Sequence, residues 1–166
     1  GYKVALCEQI EDPKVSKGIV KRAVVELLSP GTAINNEYIS NNENNFLACF
    51  YFQDDNVGFS ILDNSTGEFF CGETTIININ DILLRYNVKE ILVCESQEIH
   101  ITSLLKRDYM ISTYEDWKTD FSTSYDKLIM QFKTKSLKGF GIENNFLTII
   151  AASTCINYID NNSFGK

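Results

Sequence analysis

The chain has 166 residues, of which 44% are hydrophobic and 22% are charged, and its formal net charge is -7 at pH 7. That length suits one ordinary domain, or one domain with a fragment of another, and the apolar content supplies a sizeable core. No stretch approaches the roughly 18 consecutive apolar residues of a membrane helix, and no signal-peptide pattern marks the start. These observations exclude a helical membrane protein, and we expect a cytoplasmic location without membrane partners.

Cysteine and histidine usage argues against disulfides and structural metals. The five cysteines are odd in number, scattered and mostly flanked by apolar or β-forming residues, which is typical of buried free thiols in a reducing compartment. There is no CxxC pair, and His100 is the only histidine, so the usual zinc ligands are missing. We expect no bound metal, and we expect His100 to face solvent near the start of a helix.

Charge is distributed unevenly along the chain. Residues 1–32 carry five basic and four acidic side chains, net +1, which leaves -8 for the remainder. Three of the bases lie close together, at Lys17, Lys21 and Arg22. The acidic remainder should repel nucleic acid. Because Gly1 is not an initiator methionine and a strand pattern follows at once, we expect the chain to be a piece of a longer protein.

Two short strands are predicted first. YKVALCEQ (residues 2–9) ends at the breaker 11–13, and AVVELLS (residues 23–29) ends at Pro30-Gly31. Two strands alone make no stable core. The asparagine-rich segment 33–45 has the composition of a linker, so we place a domain boundary there.

Three closely spaced strands follow the linker. They are FLACFYFQ (46–53), VGFSILD (57–63) and GEFFCGE (67–73). Connections this short can only join antiparallel neighbours. After them the apolar period changes from two to about three and a half residues, which indicates helices.

Helices and strands then alternate. EILVC (90–94) and YMISTY (109–114) are predicted strands, the first with the continuous apolar run of a central parallel strand. One helix precedes each, with Asn78 and Ser96 as the candidate N-caps, and two right-handed crossovers are expected. The apolar stripes of these helices are Ile79, Ile82, Leu83 and Tyr86, and Ile101, Leu104 and Leu105.

Two further helices close the chain. The first follows a run of serine and threonine caps and ends before the loop at 138–141, and the second begins near Phe146. The whole order predicts an α/β fold with a ribonuclease H-like mixed sheet, three antiparallel strands and then parallel ones, flanked by helices and preceded by a short β fragment. The apolar stripes are Tyr125, Leu128, Ile129 and Phe132, and Ile149, Ala152, Ile156 and Ile159.

An active nuclease of that fold needs clustered carboxylates to hold two divalent metals about 4 Å apart, one of them near the middle of the first strand. The strand 46–53 contains no acid. The acids elsewhere occupy turns and strand ends, where solvated charges are ordinary. The sequence therefore favours a non-catalytic domain, with an active nuclease kept as the alternative. These acids are Asp54, Asp55, Asp63, Glu68 and Glu95.

Other chemical motifs are absent or weak. The chain has no GxxxxGK[ST] phosphate loop and no GxSxG elbow, and Gly139 and Gly141 follow a helix, which favours chain reversal. Trp117, the only tryptophan, either anchors a partner or covers the sheet edge, and we favour the second.

Several blocks together resemble one family. GYKVALCEQIEDPK followed by KGIVKRAVVELLSPGT resembles the end of the mismatch-recognition domain in the MutS family of DNA mismatch-repair proteins. FSILDNSTGEF resembles the hairpin of that family's second domain, and KSLKGFGIENNFLTIIAASTCINYI resembles the helix that leaves it. The blocks keep the family's order and spacing across nearly the whole chain, so the resemblance is specific.

The resemblance implies a division of the chain. Residues 1–32 would be the C-terminal part of the mismatch-recognition domain, 33–45 a linker, 46–144 the connector domain and 145–166 the start of the lever helix. In the family the connector has a ribonuclease H-like fold without nuclease activity. It links mismatch recognition to the ATPase domains and docks a MutL-type partner.

The resemblance also implies what this chain lacks. The family's phenylalanine and glutamate pair, which contacts the mispaired base, is expected upstream of Gly1, and the ATPase that uses ATP and magnesium far downstream. By itself the chain would hold no cofactor and no catalytic residue. The full-length homodimer would bind mismatched DNA and ATP. A recombination-related paralogue, which lacks that pair, is a further alternative.

The candidate DNA contacts are Lys17, Lys21 and Arg22. In a DNA-reading domain such cations neutralise phosphates and give affinity without sequence choice. The alternative is a solvated basic turn. Ala23 stands where the family often has a further charged residue, so the basic cluster is thinner than usual.

Overall fold

A computed structural model describes residues 2–12, 18–32 and 44–162. The strands are β1 (Val4–Gln9), β2 (Arg22–Leu28), β3 (Phe46–Gln53), β4 (Asn56–Asp63), β5 (Phe69–Thr75), β6 (Glu90–Cys94) and β7 (Met110–Tyr114). The α-helices are α1 (Ile79–Arg85), α2 (Glu98–Leu104), α3 (Phe121–Phe132) and α4 (Phe146–Asn162). Short 3-10 turns lie at Ile76–Asn78, Glu95–Gln97, Asp116–Thr119 and Lys138–Phe140.

The strands form two sheets. β1 and β2 make an antiparallel pair with an irregularity between Leu6 and Cys7. The main sheet has the order β5-β4-β3-β6-β7, in which β3, β4 and β5 are antiparallel and β6 and β7 run parallel to β3. This is the ribonuclease H-like order, so the predicted fold class is confirmed. The predicted linker 33–45 lies almost wholly outside the described residues, and the domain boundaries stay predictions.

β3 occupies the centre of the main sheet and is buried on both faces. Its side chains alternate between the faces because a strand has a period of two. Phe50 and its even-numbered neighbours pack with α1 and α2, whereas Leu47 and Cys49 pack with α4. The sheet therefore separates a layer formed by α1 and α2 from a layer that contains α4.

Helix α4 is buried around its circumference over residues 147–156. It lies between the sheet and α3, so both of its sides are covered. The sequence predicted one apolar face for this helix, whereas the structure buries its whole circumference over these residues. Ile149, Ala152 and Ile156 pack together with α3, while Ile159 is only half-buried and packs with the sheet-facing cluster.

Of the predicted helix caps, the position of Asn78 is confirmed, whereas the other two are wrong. Asn78 occupies the N-cap position of α1, but its side chain makes no capping hydrogen bond. Ser96 does not cap α2, because its hydroxyl donates to the Asp116 carboxylate at 2.6 Å. Helix α3 is capped by Asp120 rather than by a serine or threonine. A side-chain partner distant in sequence is present at only one of these three positions, that of Ser96.

Side chains complete the sheet where β6 stops. Gln97 Oε1 accepts a hydrogen bond from Phe52 N at 3.0 Å, and Gln97 Nε2 donates to Phe52 O at 2.8 Å. The amide thus takes the place of a further residue of the parallel ladder. His100 is exposed, as predicted, and its ring meets the Phe52 ring edge-on at 4.9 Å.

The cysteine thiols are free. Cys49, Cys94 and Cys155 are buried between the sheet and α4, and Cys7, contrary to the general expectation of buried thiols, is exposed. Burial raises the pKa of the Cys155 thiol to about 12, which keeps it neutral and unreactive. In the part of the chain that the structure describes, no helix is long and apolar enough to cross a bilayer.

Candidate functional site

Glu90 is a fully buried acid at the first position of β6. Strand alternation places it on the same face as Leu92, the face that packs against α4. A carboxylate buried there is costly unless hydrogen bonds replace its water. Its partners therefore identify which parts of the chain meet at this point.

Four donors satisfy the Glu90 carboxylate. Oε2 accepts hydrogen bonds from the Ser29 hydroxyl and from Gly31 N, the latter at 2.9 Å. Oε1 accepts from Ser112 Oγ at 2.5 Å and from Tyr158 Oη at 2.8 Å. These donors lie in the turn after β2, in β7 and in α4. One side chain therefore ties three separate segments of the chain to β6, and we call this group the Glu90 junction.

The turn after β2 is shaped to reach Glu90. Ser29 N donates to Thr32 Oγ1 at 2.9 Å, and Thr32 N donates to Ser29 O at 3.1 Å, which closes the turn on itself. A Cβ at Gly31 would lie 2.9 Å from Glu90 Cβ and 3.1 Å from Leu47 Cβ. Only glycine lets the backbone come this near. The Pro30-Gly31 pair that sequence analysis treated as a strand stop is thus also a docking element.

The Glu90 junction has no catalytic arrangement. Both carboxylate oxygens are occupied by donors of the protein itself, and the side chain points into the interior. What the arrangement can do is mechanical, because it fixes the positions of three segments relative to β6. A displacement of one segment would strain the hydrogen bonds of the others.

The acids considered for a nuclease do not converge. Asp54, Asp55, Glu68 and Glu95 are exposed. Within the described ranges, no group of three His, Cys, Asp or Glu side chains is arranged to hold a metal. The interpretation as solvated charges is wrong for Asp63, which is buried at the end of β4.

Asp63 accepts hydrogen bonds from the turn that follows it and from the residue before β3. It accepts hydrogen bonds from Ser65 N at 2.9 Å, from Ser65 Oγ at 2.6 Å and from Asn45 N at 3.2 Å. Burial acts to raise the pKa of Asp63, but these hydrogen bonds outweigh it and hold the pKa below its ordinary value. The carboxylate therefore stabilises the turn that joins β4 to β5.

The candidate DNA contacts are only partly described. Lys17 lies outside the described residues. Lys21 and Arg22 are both exposed at the start of β2, and the Lys21 ammonium forms an ion pair with Glu11 at 3.3 Å. The two described cations therefore share a surface, but one of them already has an acidic partner.

Trp117 does not cover the sheet edge as favoured from the sequence. Its side chain is 76% exposed in the 3-10 turn after β7, with the Lys118 ammonium 5.2 Å from its ring centre. The charged neighbours keep this turn in solvent, since Glu115 and Lys118 pair with each other at 2.5 Å.

Sequence analysis missed the Glu90 junction. The available signal was one acid at the start of an otherwise apolar strand, followed by the polar Ser112 at the centre of the next strand. Neither is diagnostic alone, because an acid at the first position of a strand usually marks its solvent-exposed end.

Comparison with known proteins accounts for both parts of the chain. Residues 45–163 match the family model described as MutS domain II, and residues 1–37 match the one described as MutS domain I. Curated relatives named DNA mismatch repair protein MutS are 39% identical over 96% of this chain, in Parabacteroides distasonis, Cytophaga hutchinsonii and Porphyromonas gingivalis. The chain spans only 18% to 19% of the length of these relatives.

Proposed function

Because the chain belongs to the MutS family, we propose that it is the connector segment that couples the mismatch-recognition domain to the domains that follow it. The observation that carries this proposal is the Glu90 junction. Ser29 and Gly31 lie in the part that matches domain I, whereas Glu90, Ser112 and Tyr158 lie in the part that matches domain II. A single buried carboxylate therefore bonds across the two domains.

The position of Tyr158 supports the same proposal. It lies near the C-terminal end of α4, the helix whose sequence resembles the one that leads from the connector to the lever. A shift of the recognition domain would pull on Ser29 and Gly31, and through Glu90 it would act on the end of that helix. Rigid helices and bonded networks are the physical elements that carry such coupling.

The activities of the whole protein belong to the proposal as well. The relatives' printed name supports a role in DNA mismatch repair rather than in recombination. We expect the full-length protein to be a cytoplasmic homodimer that binds mismatched DNA and docks a MutL-type partner. ATP and magnesium would bind outside these 166 residues, so this chain would not be an enzyme.

Removing one hydroxyl from the junction tests the coupling. Tyr158→Phe in the full-length protein deletes one hydrogen bond to Glu90 and changes little else. Tyr125→Phe is the matched control, because it deletes a hydroxyl that bonds Glu143, at 3.1 Å, away from the junction. Mismatch affinity and ATP turnover are measured with and without mismatched duplex.

We expect Tyr158→Phe to keep mismatch binding and basal turnover but to lose most of the change in turnover that mismatched DNA causes. Tyr125→Phe should keep all three. Equal responses of the two variants to mismatched DNA would contradict the coupling role. Loss of mismatch binding by Tyr158→Phe would instead show that the junction serves only the fold of the recognition domain.

A further inference from the structure

The turn that joins β4 to β5, residues 63–68, is closed by its own hydrogen bonds. Asp63 N donates to Glu68 O and Gly67 N donates to Asp63 O, both at 2.9 Å. The Asp63 carboxylate also accepts from Ser65 N and Ser65 Oγ. Gly67 has a φ of 78°, a left-handed conformation that glycine adopts without strain. The turn is therefore held in one shape and can support other parts of the chain.

This turn contacts the part of the chain that matches domain I. Asn64 Nδ2 donates to Thr32 O at 3.3 Å, and a carbonyl only accepts, so the amide must present its NH2 group. Thr32 is buried and ends the turn after β2, whose Ser29 hydroxyl donates to Glu90. The turn after β2 is therefore bound at Asn64 as well as at Glu90.

The β4–β5 turn also contacts the chain where the domain II part begins. Asn44 Nδ2 donates to Glu68 Oε2 at 2.6 Å, and Asn45 N donates to Asp63 Oδ2 at 3.2 Å. The preceding residues 33–43 number eleven, a length of chain that could span about 36 Å if it were extended. A covalent connection of that length permits many relative positions of the two parts. Hydrogen bonds to the β4–β5 turn on both sides of it select among these positions.

Asn64 and Glu90 lie on opposite sides of β3. On β3, Phe46 pairs with Asp63, the residue before Asn64, and Leu47 pairs with Glu90. The strands that carry the two attachment points are thus about 10 Å apart, which is two strand spacings. A single attachment point would let the turn after β2 rotate about it. Two points, one on each side of β3, fix the orientation of that turn.

We propose that Asn64 is a second attachment point for the mismatch-recognition domain, and that Asn64 and Glu90 together fix the orientation of that domain on the connector. Asn64 is a positioning residue, because it acts through the Thr32 carbonyl. This inference rests on the proposed coupling function, because an orientation can be transmitted only between domains that are mechanically linked. It adds that the link has two points rather than one.

Asn64→Ala in the full-length protein tests the second point, because it removes the amide that donates to Thr32. The backbone at Asn64 is not left-handed, so alanine can adopt it. Asn56→Ala is the matched control, since Asn56 is exposed at the opposite end of β4. Hydrogen exchange followed by mass spectrometry measures the protection of residues 29–32, with β3 as the internal reference. ATP turnover is measured with and without mismatched duplex.

We expect Asn64→Ala to speed the exchange of residues 29–32 by about fivefold, which is the effect of one net hydrogen bond, and to leave β3 unchanged. The change in turnover that mismatched DNA causes should fall by about twofold or more. Asn56→Ala should alter neither measurement by more than about twofold.

Unchanged exchange of residues 29–32 in Asn64→Ala would overturn the second attachment point, whatever the turnover. Faster exchange of β3 as well would show that Asn64 serves only the fold, which also overturns the proposal. Faster exchange of residues 29–32 alone, with a full response to mismatched DNA, would overturn the positioning role while the coupling function stands, if Tyr158→Phe loses that response. A full response in both variants would contradict the coupling function itself, and the positioning role with it.

Discussion

The backbone of Leu147 in α4 lies directly against Gly58 on β4. A Cβ at residue 58 would come within 2.0 Å of the Leu147 carbonyl carbon and 2.1 Å of its oxygen, whereas packed atoms of this kind stay about 3.5 Å apart. The helix is also bonded to the same strand, because Ser60 Oγ donates to Ala151 O at 2.9 Å. α4 can sit this close to the sheet only because residue 58 has no side chain.

Gly58→Ala should therefore destabilise the chain by about 3 kcal/mol or more, since backbone atoms of α4 cannot yield as a flexible side chain would. Urea denaturation followed by circular dichroism measures the change. Gly139→Ala is the control, because no atom lies within 4 Å of a Cβ there. If both variants unfolded at the same urea concentration, the close packing of α4 on β4 would be refuted.

Periodicity explains which parts of the fold could be predicted. The apolar run of β3 and the apolar stripes of α1 and α3 involve residues near each other in sequence, so these elements could be recognised, and their order along the chain predicted the mixed sheet. Helix caps could not be assigned in the same way, since Ser96 is engaged by Asp116, 20 residues farther along. The contact between Gly58 and Leu147 likewise forms only in the tertiary structure, so no local sequence pattern predicts it.

The same reasoning explains why the Glu90 junction was missed. Its four donors lie 61, 59, 22 and 68 residues away along the chain. A single sequence offers only local signals, and locally Glu90 is one acid before an apolar run. The Pro30-Gly31 turn was recognised, but its docking on the sheet depends on the space beside Leu47.

Removal of the Glu90 carboxylate should be costly, because the side chain is fully buried and accepts four hydrogen bonds. Glu90→Ala removes the acceptor of four donors, of which Gly31 N and the Ser112 hydroxyl are buried, so we expect a loss of about 3 kcal/mol or more in the free energy of unfolding. Glu90→Gln should cost clearly less. Its amide oxygen can still accept from Gly31 N, while its NH2 group can donate to the hydroxyl oxygens of Ser112 and Tyr158.

Urea titrations of the two Glu90 variants check this ranking. Glu98→Ala and Glu98→Gln, at the exposed start of α2, are the matched pair on the surface and should each change stability by less than about 1 kcal/mol. A Glu90→Ala variant as stable as Glu98→Ala would mean that the four hydrogen bonds contribute nothing.

Asp63 should make stability depend on acid pH. Its pKa in the folded chain lies below the ordinary value, so its contribution to stability is fully present above the unfolded pKa of about 3.9. The contribution is lost as the pH falls through the folded pKa. Asp63→Asn cannot titrate, so the stability difference between the wild-type chain and this variant should shrink steadily below about pH 4.

Thermal unfolding between pH 7 and pH 2.5 measures that difference. Asp54→Asn is the control, because Asp54 is exposed at a turn with φ of 53°, a conformation that asparagine also tolerates. A constant difference between wild type and Asp63→Asn at every pH would show that the hydrogen bonds from Ser65 and Asn45 do not favour the ionised carboxylate.

Phosphate contacts by the basic strand should appear in the salt dependence of DNA binding. Each phosphate neutralised changes the slope of log K against log salt by about 0.9. Arg22 is exposed, whereas Lys21 must leave its ion pair with Glu11 before it can reach DNA. In the full-length protein we therefore expect Arg22→Ala to reduce the slope by about the value of one phosphate contact, and Lys21→Ala to reduce it by less.

Fluorescence anisotropy with mismatched duplex from about 50 to 300 mM salt measures these slopes. Lys106→Ala, remote from β2 in sequence, should leave the slope unchanged, and an unchanged slope in the Lys21→Ala, Arg22→Ala double variant would exclude the contact.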